Sequence, residues 1–310
     1  MRRIRRGDPE FPEKLTRYPA MPSALYLIGY LPEPEEKIVA IVGSRGCTPY
    51  GRSEARRFGR ELARCGVGIV SGMASGVDCA AQEGAIEAGG RTYAVLGCGA
   101  DVCYPASSRR VYDAICGGAG GILSEYEPGA RPLAWHFPIR NRIISALADL
   151  VLVIEAREKS GSLITAGYAL DQGKTVYALP GRSTDPMSRG CNSLIGDGAG
   201  IALDVEQILM ELGIPGGVRD RGDGASGETG RLRPEADPES AEIPHFDPES
   251  AEVYRLLDPC GITAGEIAER SGIAPERVLS ILIRMALEGL AVENGSGFFS
   301  KPTGKPERGS

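Results

Sequence analysis

The 310-residue sequence predicts an α/β protein: a parallel sheet with helices on both faces, followed by a small C-terminal domain. Three observations carry this. From Ile38 onward, short β-branched runs alternate with stretches of helical periodicity, the rhythm of βαβ units. The apolar runs are nearly continuous, as expected of strands buried on both sides. Many of the 43 glycines sit at the ends of these runs, where strand-to-helix turns are tight.

"IVAIVG" (38–43) is the first strand of this series, and a glycine-rich loop leads from it into a helix over Arg52–Arg64. "VGIVSG" (67–72) follows, then the loop "MASG" and a helix over Val77–Glu87. "TYAVLG" (92–97) leads through "CGADVCYP" to a helix near Ser107–Ile115. "GILSEY", "DLVLVIEA" and "TVYALPG" are three more strands, separated by helices over 138–148 and 162–171. Residues 38–212 therefore read as a Rossmann-like domain, with 1–37 as a lead-in segment.

Residues 213–246 are dense in Gly, Pro and charge, which predicts a flexible linker. In 247–300, "PESAEVYRLL", "TAGEIAERSG" and "APERVLSILIRMALEG" are helices. The second carries Thr263 and Glu266 at capping-box spacing, and the third has Pro275 in its first turn. "LAVENGSGFFS" reads as a hairpin around Asn294-Gly295, so the unit is predicted to be a winged helix, with a disordered tail at 301–310.

Composition, at 42% hydrophobic and 25% charged residues, is that of a globular protein. No run approaches the about 18 apolar residues of a membrane span, and "MRRIRRGDPEF" lacks the apolar core of a signal peptide, so a cytoplasmic protein without membrane contact is expected. Eight cysteines without a C-x-x-C pair, and only His136 and His245 to join them, argue for reduced thiols and against a metal site. No cofactor is expected. Net charge is −6, but the acidity is concentrated late in the chain: residues 36–212 carry 18 basic and 19 acidic side chains, residues 213–310 carry 11 and 17. A nucleic-acid site would have to be a local patch, in the central domain.

The loop after the first strand, "VGSRGCTPYGRS", is one residue from a G-x-x-x-x-G-K-[ST] phosphate loop. Arg52 stands where that loop needs its lysine, and no strand ends in a clear metal-binding Asp. The dinucleotide fingerprint fails as well, because "VGIVSG" ends in Ser71-Gly72 where an acidic residue should hold a ribose. What remains is a glycine- and serine-lined cleft with arginines at its mouth, which suits phosphates. In "WHFPIRNRIIS" (135–145), Arg140 and Arg142 flank Asn141, just after Trp135 and Phe137. Two readings stand side by side: arginines gripping phosphates with an aromatic under a base, or a helix start with a basic face and a Trp–Phe core plug.

The segments "VGSR", "SGMASGVDCAA", "AVLGCGADVCYP", "ILSEYEPG", "FPIRNRIISALAD", "VLVIEA", "SGSLITAGYAL", "ALPG" and "GCNSLIGDGA", in this order, resemble the DNA-processing protein A (DprA, or Smf) family. The resemblance covers residues 38–212 almost continuously, and "YPAMPSALYLIGYLP" resembles the family's lead-in to its core. It departs at Gln82, where the family usually has His, and at Ser108, where it usually has Asn. The N-terminal SAM-type domain of many members has no counterpart in the residues before the core. The resemblance implies single-stranded DNA binding, protection of incoming DNA during natural transformation, loading of RecA recombinase, and a homodimer built through the Rossmann-like domains, with no catalytic turnover. Joined to the cleft reading, it puts phosphates on Gly43, Ser44, Arg45, Gly72, Ser75, Gly76, Arg140, Asn141, Arg142, Ser160, Gly161, Ser162 and Thr165, and a stacked base on Phe137.

Two other classes compete. Lysine-decarboxylase-like phosphoribohydrolases share a similar core but resemble one another through a Pro-Gly-Gly-x-Gly-Thr loop, where this chain has "LPGRSTD"; its carboxylates near strand ends are Asp78, Glu125 and Glu155. A duplex-reading transcription factor rests on the winged helix alone, which carries four basic against nine acidic residues over 247–300.

Overall fold

A computed structural model of the chain describes residues 1–214, 247–257, 262–293 and 298–301. They divide into two compact units, Met1–Arg219 and Asp220–Ser310. The first unit runs β1 (Arg2–Arg5), α1 (Glu13–Thr16), β2 (Ala24–Gly29), β3 (Ile38–Val42), α2 (Pro49–Arg64), β4 (Gly68–Ser71), α3 (Val77–Glu87), β5 (Thr92–Leu96), α4 (Arg109–Ala114), β6 (Gly120–Ser124), α5 (His136–Leu147), β7 (Leu150–Val153), α6 (Gly161–Asp171), β8 (Thr175–Ala178), α7 (Arg189–Gly196), β9 (Gly200–Ile201) and α8 (Val205–Glu211).

The strands form one sheet in the order β1-β2-β6-β5-β4-β3-β7-β8-β9. Every pairing from β6 across to β9 is parallel. β3 to β7 are buried at every residue, which is why they read as continuous apolar runs. Helices α1, α5 and α6 cover one face, where Leu15, Ile143, Leu147 and Ala169 pack on Ala40, Val151 and Val153. Helices α2, α3 and α8 cover the other, where Phe58, Leu62, Ala81 and Ile208 pack on Val39, Ile41 and Leu152. Beside them Val111 and Tyr112 of α4 pack on Ala94, Leu96 and Ile122.

The lead-in contributes to this sheet. β2 pairs antiparallel with β6, with Tyr26 opposite Ser124, and β1 pairs antiparallel with β2. Leu25 and Leu27 enter the same core as α5. The parallel sheet predicted from the sequence thus carries a two-stranded antiparallel edge. The chain builds β3 to β6 in one direction and then crosses to the far side of β3 to lay down β7. In open α/β sheets, the crevice between such neighbours is where ligands bind. Among the described residues, no helix is long and apolar enough to cross a membrane.

In the second unit, α9 (Pro248–Leu256), α10 (Ala264–Ser271) and α11 (Pro275–Leu287) surround a core of Val253, Ile267, Val278, Leu282, Met285 and Phe299. β10 (Ile262–Thr263), β12 (Phe298–Ser300) and β11 (Val292–Glu293) form an antiparallel sheet in that order. The Thr263 hydroxyl accepts the Glu266 N–H while the Glu266 carboxylate accepts the Thr263 N–H, closing the predicted capping box. Residues 215–246 of the expected linker, the hairpin tip at Asn294-Gly295 and the tail from 302 lie outside the described residues.

Candidate functional site

A cleft of about 390 Å³ opens at the crevice between the ends of β3 and β7. Its walls are the loop after β3 (Gly43, Ser44, Arg45), one side of α5 (Phe137, Arg140, Asn141) and the start of α6 (Ser160, Gly161, Ser162, Thr165), with Ala74 from the β4–α3 connection and Asp78 from the first turn of α3.

Backbone hydrogen bonds hold the loops together. Ser44 N–H donates to the Glu155 carbonyl at 2.8 Å, joining the ends of β3 and β7. Val77 N–H donates to the Ser44 carbonyl at 3.2 Å, joining the same loop to α3. Gly76, with φ +84°, makes that approach possible, because a Cβ there would lie 2.4 Å from the Ser44 carbonyl oxygen. Ser160 caps α6: its hydroxyl accepts the Ser162 N–H at 3.4 Å and bonds the Ser162 hydroxyl at 2.7 Å. Asn141 Nδ2 donates to the Gly161 carbonyl at 3.3 Å and ties α5 to that helix start. A helix N-terminus with its positive dipole end thus faces the cleft.

Arg45 is exposed at the mouth, its guanidinium 5.1 Å from the centre of the Phe137 ring. Phe137 lies against Gly97, where a Cβ would come within 2.9 Å of the ring. Arg140 forms the floor. It is buried and donates to the carbonyls of Gly72 and Val95. Burial lowers its pKa to about 10, with the Asp78 carboxylate opposing that shift, so the guanidinium remains charged at neutral pH. Burial pushes the Asp78 carboxyl above its usual range, and Arg140 opposes this in turn.

Ten of the residues expected to meet DNA line the cleft: Gly43, Ser44, Arg45, Phe137, Arg140, Asn141, Ser160, Gly161, Ser162 and Thr165. Four do not. Gly72 lies buried and bonded to Asp78 and Arg140, Gly76 is the residue just before α3, and the Ser75 hydroxyl is 3.2 Å from that of Ser107. Arg142 is turned to Glu125, donating from Nη2 to Oε2 at 2.5 Å with both side chains largely buried. The sequence reading did not include Ala74 or Asp78 in the lining, for want of any signal that α3 reaches under the cleft. The core-plug alternative for Trp135 does not hold, since its side chain is exposed.

The P-loop-like stretch has a different use. α2 begins at Pro49, three residues before the expected start, with Thr48 as its cap. The Glu155 carboxylate accepts the Thr48 N–H at 2.8 Å and the Thr48 hydroxyl at 2.5 Å, and the Thr48 hydroxyl oxygen accepts the Gly51 N–H at 3.1 Å. Two N–H groups of this stretch, those of Thr48 and Gly51, are therefore engaged by the protein's own side chains and not presented to phosphates.

Residues 2–213 match the model of the family described as DNA recombination-mediator protein A. The chain belongs to the DNA recombination-mediator protein A family. Among members of that family, it is 42% identical to DNA processing protein DprA of Streptococcus pneumoniae over 205 residues, which is 66% of this chain and 72% of that one. It is 41% identical to protein Smf of Synechocystis over 210 residues, covering 66% of this chain but only 52% of that one. With Escherichia coli Smf it shares 36% over 284 residues, 91% of this chain and 73% of the relative. Two solved structures superpose well. DNA processing protein A of S. pneumoniae gives a TM-score of 0.65 at 40% identity, covering 68% of this chain and 74% of that one. DNA processing protein A of Helicobacter pylori, described for its single-stranded DNA binding mode, gives 0.60 at 32% identity, covering 68% and 94%. Neither departure from the DNA-processing family's usual residues lines the cleft. Gln82 is buried in α3, donating to Thr92 Oγ1 and the Tyr93 carbonyl at 3.2 Å each, and Ser108 is buried just before α4.

Proposed function

We propose that this chain binds single-stranded DNA in the cleft between β3 and β7, without sequence preference, as a non-catalytic recombination mediator. The observation that carries this is Arg45, an exposed cation set over the Phe137 ring at the mouth of a cleft walled by a helix N-terminus and small polar residues. Phosphates suit the cation and the backbone N–H groups; exposed bases suit aromatic rings. Gly43, Ser44, Arg45, Asn141, Ser160, Gly161, Ser162 and Thr165 are assigned to phosphate and sugar contacts, Arg140 to the charge of the floor, and Phe137 to base contact. The single-stranded DNA binding for which the H. pylori relative is described supports the same choice of ligand.

Loading of RecA recombinase, homodimer formation and a cytoplasmic site of action are part of this proposal and rest on the family resemblance. The C-terminal unit is proposed to be a winged helix that contacts protein and does not read duplex. Its α11 carries Glu276 near the N-terminus, where a groove reader would meet bases, and Arg277 and Arg284 are paired with Glu249 and Asp247. The test is a mobility-shift series with labelled single strands and duplex of one sequence, with and without RecA. Retarded single strands that then accept RecA support the proposal; a shift of duplex alone refutes it.

A further inference from the structure

The Phe137 ring, assigned above to base contact, is only partly open. Phe137 is half-buried, with Arg45 over it at 5.1 Å, Arg140 at 5.9 Å and Gly97 against it. Tyr104 packs beside it at 5.6 Å, planes 31° apart, too close for a base to enter between the two rings. More open aromatic surface belongs to two residues next to the lining: Tyr104, beside Phe137, is 41% exposed, and Trp135, next to Ala134, is 59% exposed.

Trp135 is not a loose side chain. It sits at the residue before α5, its ring edge-on against His136 at 4.1 Å and 79°. His136 is buried, stacks on Tyr126 at 3.8 Å, and bonds the Gly97 carbonyl through Nδ1 at 2.9 Å. Gly97 is the residue against which Phe137 rests. A large ring is thus braced by a buried histidine yet left facing water, where it contributes little to folding. Such an arrangement suits a surface that gains its burial from a ligand.

We propose that Tyr104 and Trp135 form an outer stacking platform that receives the bases of single-stranded DNA as the strand leaves the cleft. The proposal rests on the reading that the cleft holds the strand's phosphates. Bases are favoured over an apolar protein segment for two reasons. Both rings adjoin residues that line the cleft: Tyr104 packs on Phe137, and Trp135 directly follows Ala134. The neighbouring cation, Arg45, has no carboxylate partner among the described residues, which leaves its charge for a polyanion. Stacking on two more rings would lengthen the bound strand without adding sequence preference.

The chain contains one tryptophan, so its intrinsic fluorescence reports on Trp135 alone. The full chain is titrated with oligothymidylates of about 4 and about 12 nucleotides, both within the range of single-strand site sizes. Emission is followed together with the anisotropy of end-labelled oligonucleotides. The longer strand should quench Trp135 and bind more tightly. Trp135→Ala should weaken the longer strand at least about fivefold, the low end for one stacked base, and leave the shorter one unchanged. Trp135→Phe should keep most of the affinity, and Tyr104→Ala should behave like Trp135→Ala. If the longer strand binds with unchanged emission and with equal affinity for wild type and Trp135→Ala, the platform is refuted while the cleft stands. If neither length binds, the cleft reading fails and the platform with it. RecA binding that is weakened by Trp135→Ala while DNA binding is not would assign the rings to a protein contact and overturn the proposal.

Discussion

Asp78 and Arg140 hold Gly72 from its two ends: the Asp78 carboxylate accepts the Gly72 N–H at 3.1 Å, and Arg140 Nη1 donates to the Gly72 carbonyl at 3.0 Å. The turn after β4 is thereby fixed to α3 and α5 at once, and a guanidinium charge is set in the floor of the cleft. A Cβ on residue 72 would lie 2.6 Å from Arg140 Nη2 and 2.8 Å from the Asp78 carboxylate, so glycine alone fits between them. Gly72→Ala should lower the urea midpoint at unchanged m, a loss of about 1–3 kcal/mol from overpacking, and should weaken DNA binding by displacing Arg140. A variant with wild-type stability and affinity would show that the clamp does not set the floor.

Arg142 and Glu125 form a largely buried ion pair at 2.5 Å outside the cleft lining. Removing one partner leaves the other charge buried. Arg142→Ala should therefore cost about 3 kcal/mol in thermal or chemical unfolding, and replacing both residues by apolar side chains should recover most of that loss. Unchanged melting together with a flattened salt dependence of DNA binding would instead return Arg142 to the DNA contact set.

Glu155 gives a pH signature. Burial raises its carboxyl above the ordinary 4.5, outweighing the Thr48 hydrogen bonds that lower it. The folded chain then holds this proton more tightly than the unfolded chain. The resulting stabilisation is full below about 4.5 and is lost as pH rises through the higher folded value. Glu155→Gln cannot titrate. The stability of wild type relative to this variant should therefore improve as pH falls from 7 towards 5, measured by paired denaturation curves. A difference that is flat over this range would contradict the assignment. Neither protein should release phosphate or free base from nucleotides.

The C-terminal unit is expected to be dispensable for DNA. Truncation after Ile214 should keep single-strand affinity within about twofold, roughly 0.4 kcal/mol. A loss of tenfold or more would place the unit in the DNA path.

The central strands were legible because burial on both faces leaves only apolar residues to write them with, as in β3 and β7. The edge strands were not. β1 and β2 mix Arg2, Arg3, Arg5 and Tyr26 with the buried Ile4, Leu25 and Leu27, and only the four-residue α1 lies between them, too short to show a βαβ rhythm. The start of α2 was readable from Thr48-Pro49, a cap followed by Pro at the first helical position. The cleft residues could be gathered from the sequence because they cluster at strand ends. Which arginine is free could not. Arg45, Arg140 and Arg142 look alike in sequence, and only the fold shows one exposed, one bonded to backbone carbonyls and one committed to Glu125. Glu155 likewise reads as a carboxylate near a strand end until Thr48 is seen beside it.

The most direct measurement is fluorescence anisotropy of the full chain with one labelled sequence, presented as a single strand and as a blunt duplex, over a series of salt concentrations. The single strand should bind more tightly at every salt, with a log–log slope of a few phosphates at about −0.7 each, and Arg45→Ala should remove about one such contact for all sequences alike. Equal or tighter binding of the duplex at matched salt, or a slope unchanged by Arg45→Ala, would contradict a single-strand site in the cleft between β3 and β7.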